Sequence, residues 1–204
     1  MEIGVKMKRN TAELKEKLIE TGVEEIRTRG VDQLSIRTVA QRCGVTHGAP
    51  YKHFDNKDTY MKVVLEHLSE IFLKNMTQGI ASSLNARNRL VLMGCNFVRF
   101  AQQETNIFEA LFIKFPFNYM DFSQESISVN SHLPGFEYFK NTALELKNKE
   151  KLSGSDAEVL MHFWSFITGL AMLARSPIAD NFTETTVQET VRTMLDIYIK
   201  GAKQ

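Results

Sequence analysis

His47, Tyr51, Lys52 and His53 fall within one seven-residue window, and Lys57 follows four residues later. These side chains are hydrogen-bond donors and acceptors long enough to touch phosphates and base edges. They contain no nucleophile with a partnered base. The five histidines, His47, His53, His67, His132 and His162, fall into no metal-ligand spacing with cysteine or acidic residues. There is no phosphate-cradling glycine loop, dinucleotide fingerprint or nucleophile elbow. Glu104 and Glu109 bracket apolar segments, either to meet a cationic ligand or simply as exposed surface. The chain therefore reads as a binding protein and not an enzyme, with no cofactor and no metal.

The elements that must present these residues lie between Ser35 and Lys57. Ile36, Val39 and Ala40 give a first helix an apolar face at helical spacing. Gly44 stands where that helix must end and reverse, a position that favours the left-handed conformation. Ser35 is placed to cap the first helix and Thr46 the second. The second helix is expected over about His47–Phe54, with His47, Lys52 and His53 outward and Tyr51 reaching sideways. Pro50 lies in or just after its first turn, where a missing N–H does limited damage. Lys57 then opens a third helix, whose free N–H groups can help a cation hold a phosphate.

The run Gly44-Val-Thr-His-Gly-Ala-Pro-Tyr-Lys-His-Phe54, followed by Lys57, resembles the DNA-binding signature of the TetR family of transcriptional regulators. It is similar in particular to the branch whose recognition helix carries Ala-Pro-Tyr, which accommodates Pro50. The resemblance implies a helix-turn-helix head over residues 1–56, with its second helix in the major groove of an operator. By motif position it implies that Ser35, Arg37, Thr38, Thr46, Tyr51 and Lys57 hold phosphates. His47, Gly48 and Lys52 would face base edges, the glycine allowing close approach. His53 serves either phosphate or packing.

Composition agrees with this reading without compelling it. The 204 residues are 43% hydrophobic and 24% charged, with a net charge of +1. Residues 1–57 carry 11 basic against 8 acidic side chains, a mildly basic head on a mildly acidic body. Cys43 and Cys95 sit in helical apolar patterns, as buried thiols of a reducing cytoplasm do. No apolar leader opens the chain. The longest uncharged apolar run, Val159–Ala174, falls short of the roughly 18 residues of a membrane span.

Taken in order, Lys6, Lys8 and Arg9 are either a frayed terminus or an arm touching DNA backbone. Asn10 and Glu13 form a candidate capping box for a first helix carrying Leu14, Leu18, Val23 and Ile26 and ending before Gly30. A helix from Lys57 to about Gln78, with no glycine or proline inside, can join head and body as a lever about 30 Å long. The body holds 13 of the 14 phenylalanines. Helices are expected over about Asn85–Glu104 and Thr105–Phe115, the latter stopped by Pro116. Residues 116–133, with Tyr119, Asp121 and Phe122, read as a long loop. Further helices follow from Pro134, from a Ser155/Glu158 capping box to about Arg175, and over about Glu184–Lys200 before Gly201.

The fold expected is all-α: a three-helix head joined by a long helix to a helical ligand-binding and dimerisation domain, residues 57–204. The phenylalanines either fill the core or line a ligand cavity; the candidates for a cavity are Phe97, Phe100, Phe108, Phe112, Trp164 and Thr168. Trp164-Ser-Phe-Ile-Thr168-Gly169 is similar to a Trp-x-x-x-His-Gly segment of one TetR C-terminal class, with threonine in the place of histidine. The last two helices carry enough apolar surface to form half of a four-helix interface, as dimers of the family do. The function this implies is a homodimeric, ligand-responsive repressor on a double-stranded DNA operator, cytoplasmic and off the membrane, with a small-molecule effector. The rival is a DNA-bound scaffold of the same fold governed by a protein partner.

Overall fold

The computed structural model describes the backbone of residues 2–114, 120–123, 127–129 and 132–203, and the side chains of these from residue 11 onward except those of residues 120–122 and 129. Its helices are α1 (Glu2–Arg29), α2 (Ile36–Arg42), α3 (Lys57–Met76), α4 (Ala86–Gln103), α5 (Thr105–Glu109), α6 (Pro134–Glu150), α7 (Asp156–Leu173) and α8 (Glu184–Ala202). The expected all-α class holds. One departure is a short antiparallel ribbon, β1 (Met120–Phe122) paired with β2 (Ile127–Val129), where a loop was expected. Ile127 is fully buried, so an apolar anchor fixes part of that segment. The Pro116 stop, Tyr119 and the side chains of Lys6, Lys8 and Arg9 lie outside the described residues.

The chain forms two compact units. The first comprises Met1–Leu68 with Asn106–Lys114; the second comprises Ser69–Thr105 with Phe115–Gln204. The boundary therefore falls inside α3.

In the first unit, α1 starts at Glu2, so Asn10 lies inside the helix and does not cap it. Leu18, Ile19 and Ile26 are buried at helical spacing along it. α2 ends as the sequence requires. Gly44 has φ 74°, the Gly44 amide donates to the Gln41 carbonyl at 3.1 Å and the Val45 amide to the Ala40 carbonyl at 3.0 Å. This pair of bonds is the Schellman arrangement, which satisfies two orphan carbonyls at the helix end. Ser35 occupies the N-cap position of α2 in extended backbone, but its hydroxyl makes no capping bond.

Phe54 and Tyr60 lock α3 to α1. Their rings meet edge-on at 5.0 Å, and both are buried. The Tyr60 hydroxyl donates to the Leu18 carbonyl at 2.8 Å. Gly22 permits that approach: a Cβ there would stand 2.1 Å from the Tyr60 hydroxyl oxygen.

The segment after α4 also belongs to this unit. α5 continues as a π-helical turn over Ala110–Lys114 instead of the regular helix expected to residue 115. Ile107 and Phe108 are fully buried. The Asn106 side-chain amide donates to the Arg27 carbonyl at 2.8 Å, and the Lys114 ammonium to the Asp32 carboxylate at 2.8 Å. The Asp32 carboxylate raises the Lys114 pKa, first by this hydrogen bond and then by its charge.

The second unit is built around α4, which packs against α6, α7 and α8. Asn85 caps α4 through its side chain, and Ser155 with Glu158 makes the expected capping box on α7. Phe72 meets Phe97 and Phe100 edge-on at 5.9 and 5.3 Å. Asn96 is buried and donates to the Met76 and Gln78 carbonyls, both at 2.9 Å, supplying partners at the end of α3. α8 runs through Gly201 to Ala202, so that glycine does not end it.

The Gly22–Tyr60 contact yields a stability test. Gly22→Ala should cost about 2–3 kcal/mol by overpacking, and Tyr60→Phe about 1 kcal/mol through the lost hydrogen bond. Because Tyr60→Phe removes the atom that the new methyl would strike, urea unfolding of the double variant should show a cost well below the sum.

Candidate nucleic-acid interface

The ten residues assigned to DNA contact all lie in the first unit, and none is buried. Arg37, Thr46, His47, Gly48, Tyr51, Lys52 and Lys57 are exposed, and Ser35, Thr38 and His53 are half-buried. Two short stretches bring them together: the start of α2, and residues 46–57, which lead into α3.

Over the second stretch the structure corrects the sequence reading. No α-helix forms across His47–Phe54; residues 46–49 turn, and Pro50–Lys52 is a 3-10 turn. The Ala49 amide donates to the Thr46 carbonyl at 3.0 Å, and the Lys52 amide to the Ala49 carbonyl at 3.2 Å, each three residues back. The physical reason is Pro50. An α-helix would draw the fourth-residue bond to the Thr46 carbonyl from the N–H of residue 50, which proline lacks. Thr46 thus enters through its carbonyl, and its hydroxyl does not cap the turn. Pro50 itself is buried, and Tyr51 beside it is 51% exposed.

Gly48 has an unremarkable backbone role. Its φ lies outside the left-handed region, and a Cβ placed on it would meet nothing within 4 Å. Neither backbone nor packing requires glycine there, so what distinguishes the position is the open surface it leaves.

α3 starts at Lys57, as expected. Asn56 caps it: its side-chain carbonyl accepts from the Thr59 amide at 2.8 Å and the Thr59 hydroxyl at 3.1 Å. Beneath the surface, Glu25 of α1 is 1% exposed and pairs with Arg42 at the end of α2; Arg29 lies 3.8 Å from its other oxygen. Cys43 is buried beside them, its thiol 3.3 Å from the Thr21 hydroxyl. Burial, then the nearby Cys43 and Glu25, pushes the Tyr60 hydroxyl pKa up, so it remains a donor to Leu18.

The six ligand candidates divide between the units. Phe108 and Phe112 belong to the first, with ring centroids 5.1 Å apart. Phe97 and Phe100 of the second are buried against Phe72. Trp164 is half-buried, 5.5 Å from the Phe136 ring. The Thr168 hydroxyl is buried and has no hydrogen-bond partner among the described residues. No group of three His, Cys, Asp or Glu among the described residues is arranged to hold a metal ion.

Residues 18–59 match the family model of bacterial regulatory proteins, tetR family. The amino-terminal domain is of the tetR family. The match spans α1 from Leu18, the Gly44 turn, the Pro50 turn and the start of α3. Solved structures extend the likeness to the whole tetR-like fold. A protein of unknown function from Rhodococcus sp. RHA1 superposes with TM-score 0.66 at 21% identity, covering 94% of this chain and 96% of that one. A putative TetR-family transcriptional regulator from Rhodococcus sp. gives 0.61 at 12%, covering 92% and 99%. A tetR-family transcriptional regulator from Streptomyces coelicolor gives 0.61 at 16%, covering 93% and 83%. At these identities the structures establish fold alone. No curated protein matches the chain in sequence.

The tetR-type head depends on supports that the motif does not contain: Glu25, Asn56, Tyr60 and Gly22. Glu25 had a sequence signal, since it sits seven residues after Leu18 on the inward stripe of α1. Its pairing implies an asymmetry. Arg42→Ala leaves a buried carboxylate short of its main partner and should cost about 2–3 kcal/mol, while Glu25→Gln leaves only a half-exposed arginine and should cost about 1 kcal/mol. Thermal unfolding of the two variants reads the difference.

Proposed function

We propose that the protein is a homodimeric DNA-binding transcriptional repressor, released from its operator by a small apolar or amphipathic effector. The observation that carries the DNA part is the placement of all ten motif positions on accessible surface of a tetR-family domain, over a buried aromatic anchor. Ser35, Arg37, Thr38, Thr46, Tyr51 and Lys57 hold phosphates. Lys57, as the first residue of α3, adds its ammonium to the positive end of that helix. His47, Gly48 and Lys52 approach base edges, and Lys52 suits the guanine acceptors in the major groove. His53 is half-buried and divides between surface and packing.

Dimerisation is drawn from the second unit. α7 and α8 leave Met161, Met172, Leu173 and Ile197 exposed, Ile197 to 67%. Beside them lies a groove of about 570 Å³ lined by Phe166, Thr190, Met194, Ile197 and Tyr198. Gly169 faces open space on α7, room for a second backbone to come close. Apolar surface of this kind favours burial against a second copy. Two heads about 34–36 Å apart would then meet successive major grooves on one face of a duplex.

Effector control is drawn from Trp164, whose ring meets Phe136, and from the buried, unpartnered Thr168 hydroxyl one helical turn further along α7, a polar group that a ligand could satisfy. An effector releases DNA only if it binds more tightly to the state whose heads miss the groove spacing. No helix among the described residues is long and apolar enough to cross a membrane. The proposed place of action is the cytoplasm, where the DNA is.

Fluorescence anisotropy on labelled duplex tests the contacts. Tyr51→Ala and Lys57→Ala should each weaken binding to all sequences alike, and Lys57→Ala should reduce the salt slope by about 1. Unchanged affinity at moderate salt would remove those assignments. Sedimentation of Ile197→Glu tests the dimer: it should shift the protein to monomer while the melting of the isolated protomer stays close to wild type, because Ile197 is exposed in the single chain.

A further inference from the structure

Resting on the DNA reading above and deepening it, we propose that Pro50 is a positioning residue that sets which base sequence the head selects. Pro50 is buried and lies between residues assigned to DNA: His47 and Gly48 before it, Tyr51 and Lys52 after it. Its ring is buried and offers no surface of its own to DNA. Its effect is on the backbone that aims its neighbours.

The argument is one of angle. The Thr46 carbonyl accepts from the Ala49 amide at 3.0 Å, the Ala49 carbonyl from the Lys52 amide at 3.2 Å and the Pro50 carbonyl from the His53 amide at 2.9 Å, so three-residue bonds wind the chain as far as His53, before the Phe54 amide makes a four-residue bond to the Pro50 carbonyl at 3.0 Å. A 3-10 turn rotates about 120° per residue against about 100° in an α-helix, and rises about 2.0 Å against about 1.5 Å. Over the three steps from Ala49 to Lys52, Lys52 is carried about 60° further around the axis and about 1.5 Å further along it. Displacements of that size decide whether an ammonium meets one base pair or its neighbour, since stacked base pairs are about 3.4 Å apart. Phosphate contacts made through long side chains tolerate such a shift better than base-edge contacts do. Restoring an N–H at position 50 removes the constraint that drives the tighter winding. Sequence preference, more than bare affinity, is therefore what Pro50 governs.

The test uses the full chain. Wild-type protein first selects its preferred duplex from a pool with a randomised centre. Affinities for that duplex and for a scrambled duplex are then measured, at one salt concentration, for wild type, Pro50→Ala and Pro50→Val. Valine keeps most of the buried volume while restoring the N–H. Any misfolded fraction lowers both affinities equally and leaves their ratio untouched. In both variants the selected-to-scrambled ratio should fall by about tenfold or more, the scale of losing one base contact, with scrambled-duplex affinity nearly unchanged. Reselection with Pro50→Ala should also return a different preferred sequence. A wild-type ratio in both variants would overturn the proposal. So would a loss confined to Pro50→Ala, which would trace the effect to buried volume. A wild-type chain that selects no duplex would overturn this proposal and the DNA reading together, a pattern distinct from the other two.

Discussion

One buried hydrogen bond, from the Tyr60 hydroxyl to the Leu18 carbonyl, sets the geometry of the head. It crosses from α3 to α1 at a point where Gly22 alone leaves room. Phe54 stacks edge-on against the same ring, so the exit of the Pro50 turn and the body of α3 are pinned at one place. A carbonyl inside α1 already serves its own helix; the tyrosine uses its second lone pair. A buried phenol without that acceptor would forfeit the free energy of an unmade hydrogen bond. The anchor therefore tolerates little displacement, and residues 46–57 inherit that precision although their own secondary structure is minimal.

This explains how so short an element as the Pro50 turn can hold its shape. A turn of three residues has no stability of its own. Here its buried members, Pro50 and Phe54, hold it from below, and its polar members are left at the surface. α2 is held in a different manner, by the Schellman end at Gly44 and by Arg42 against Glu25. One end of the interface thus relies on apolar packing and the other on a buried charge. Salt, which screens exposed charges far more than buried ones, would act on the proposed contacts to DNA before it acts on the scaffold beneath them.

The sequence made the outline legible because strong local signals agreed with the tertiary result. The Gly44 reversal, the start of α3 at Lys57, the Asn85 start of α4 and the Ser155/Glu158 box each follow from short-range rules, and each is found. The errors have a common source. Asn10 was expected to open α1 and Gly201 to close α8, but helix extends past both. An N-cap residue or a glycine states a preference, and the backbone can continue where neighbouring residues favour helix. Pro50 acts in the other direction: its missing N–H looks like a small defect in an α-helix, whereas it changes the kind of winding. The inward position of Glu25 is legible, but its partner and that of Tyr60 are not, because they lie 17 and 42 residues away. For the ligand candidates, aromatic composition could not tell wall from filling, and Phe97 and Phe100 pack against Phe72.

The first unit is not continuous in the chain, because Asn106–Lys114 completes it after an excursion of 37 residues, Ser69–Thr105, into the second. Synthesis from the ribosome therefore delivers the amino-terminal helices well before the piece that finishes their unit. Until residue 114 has emerged, Asp32 waits for Lys114 and the Arg27 carbonyl for Asn106. The last contacts of the amino-terminal unit thus form only after α4 has been made.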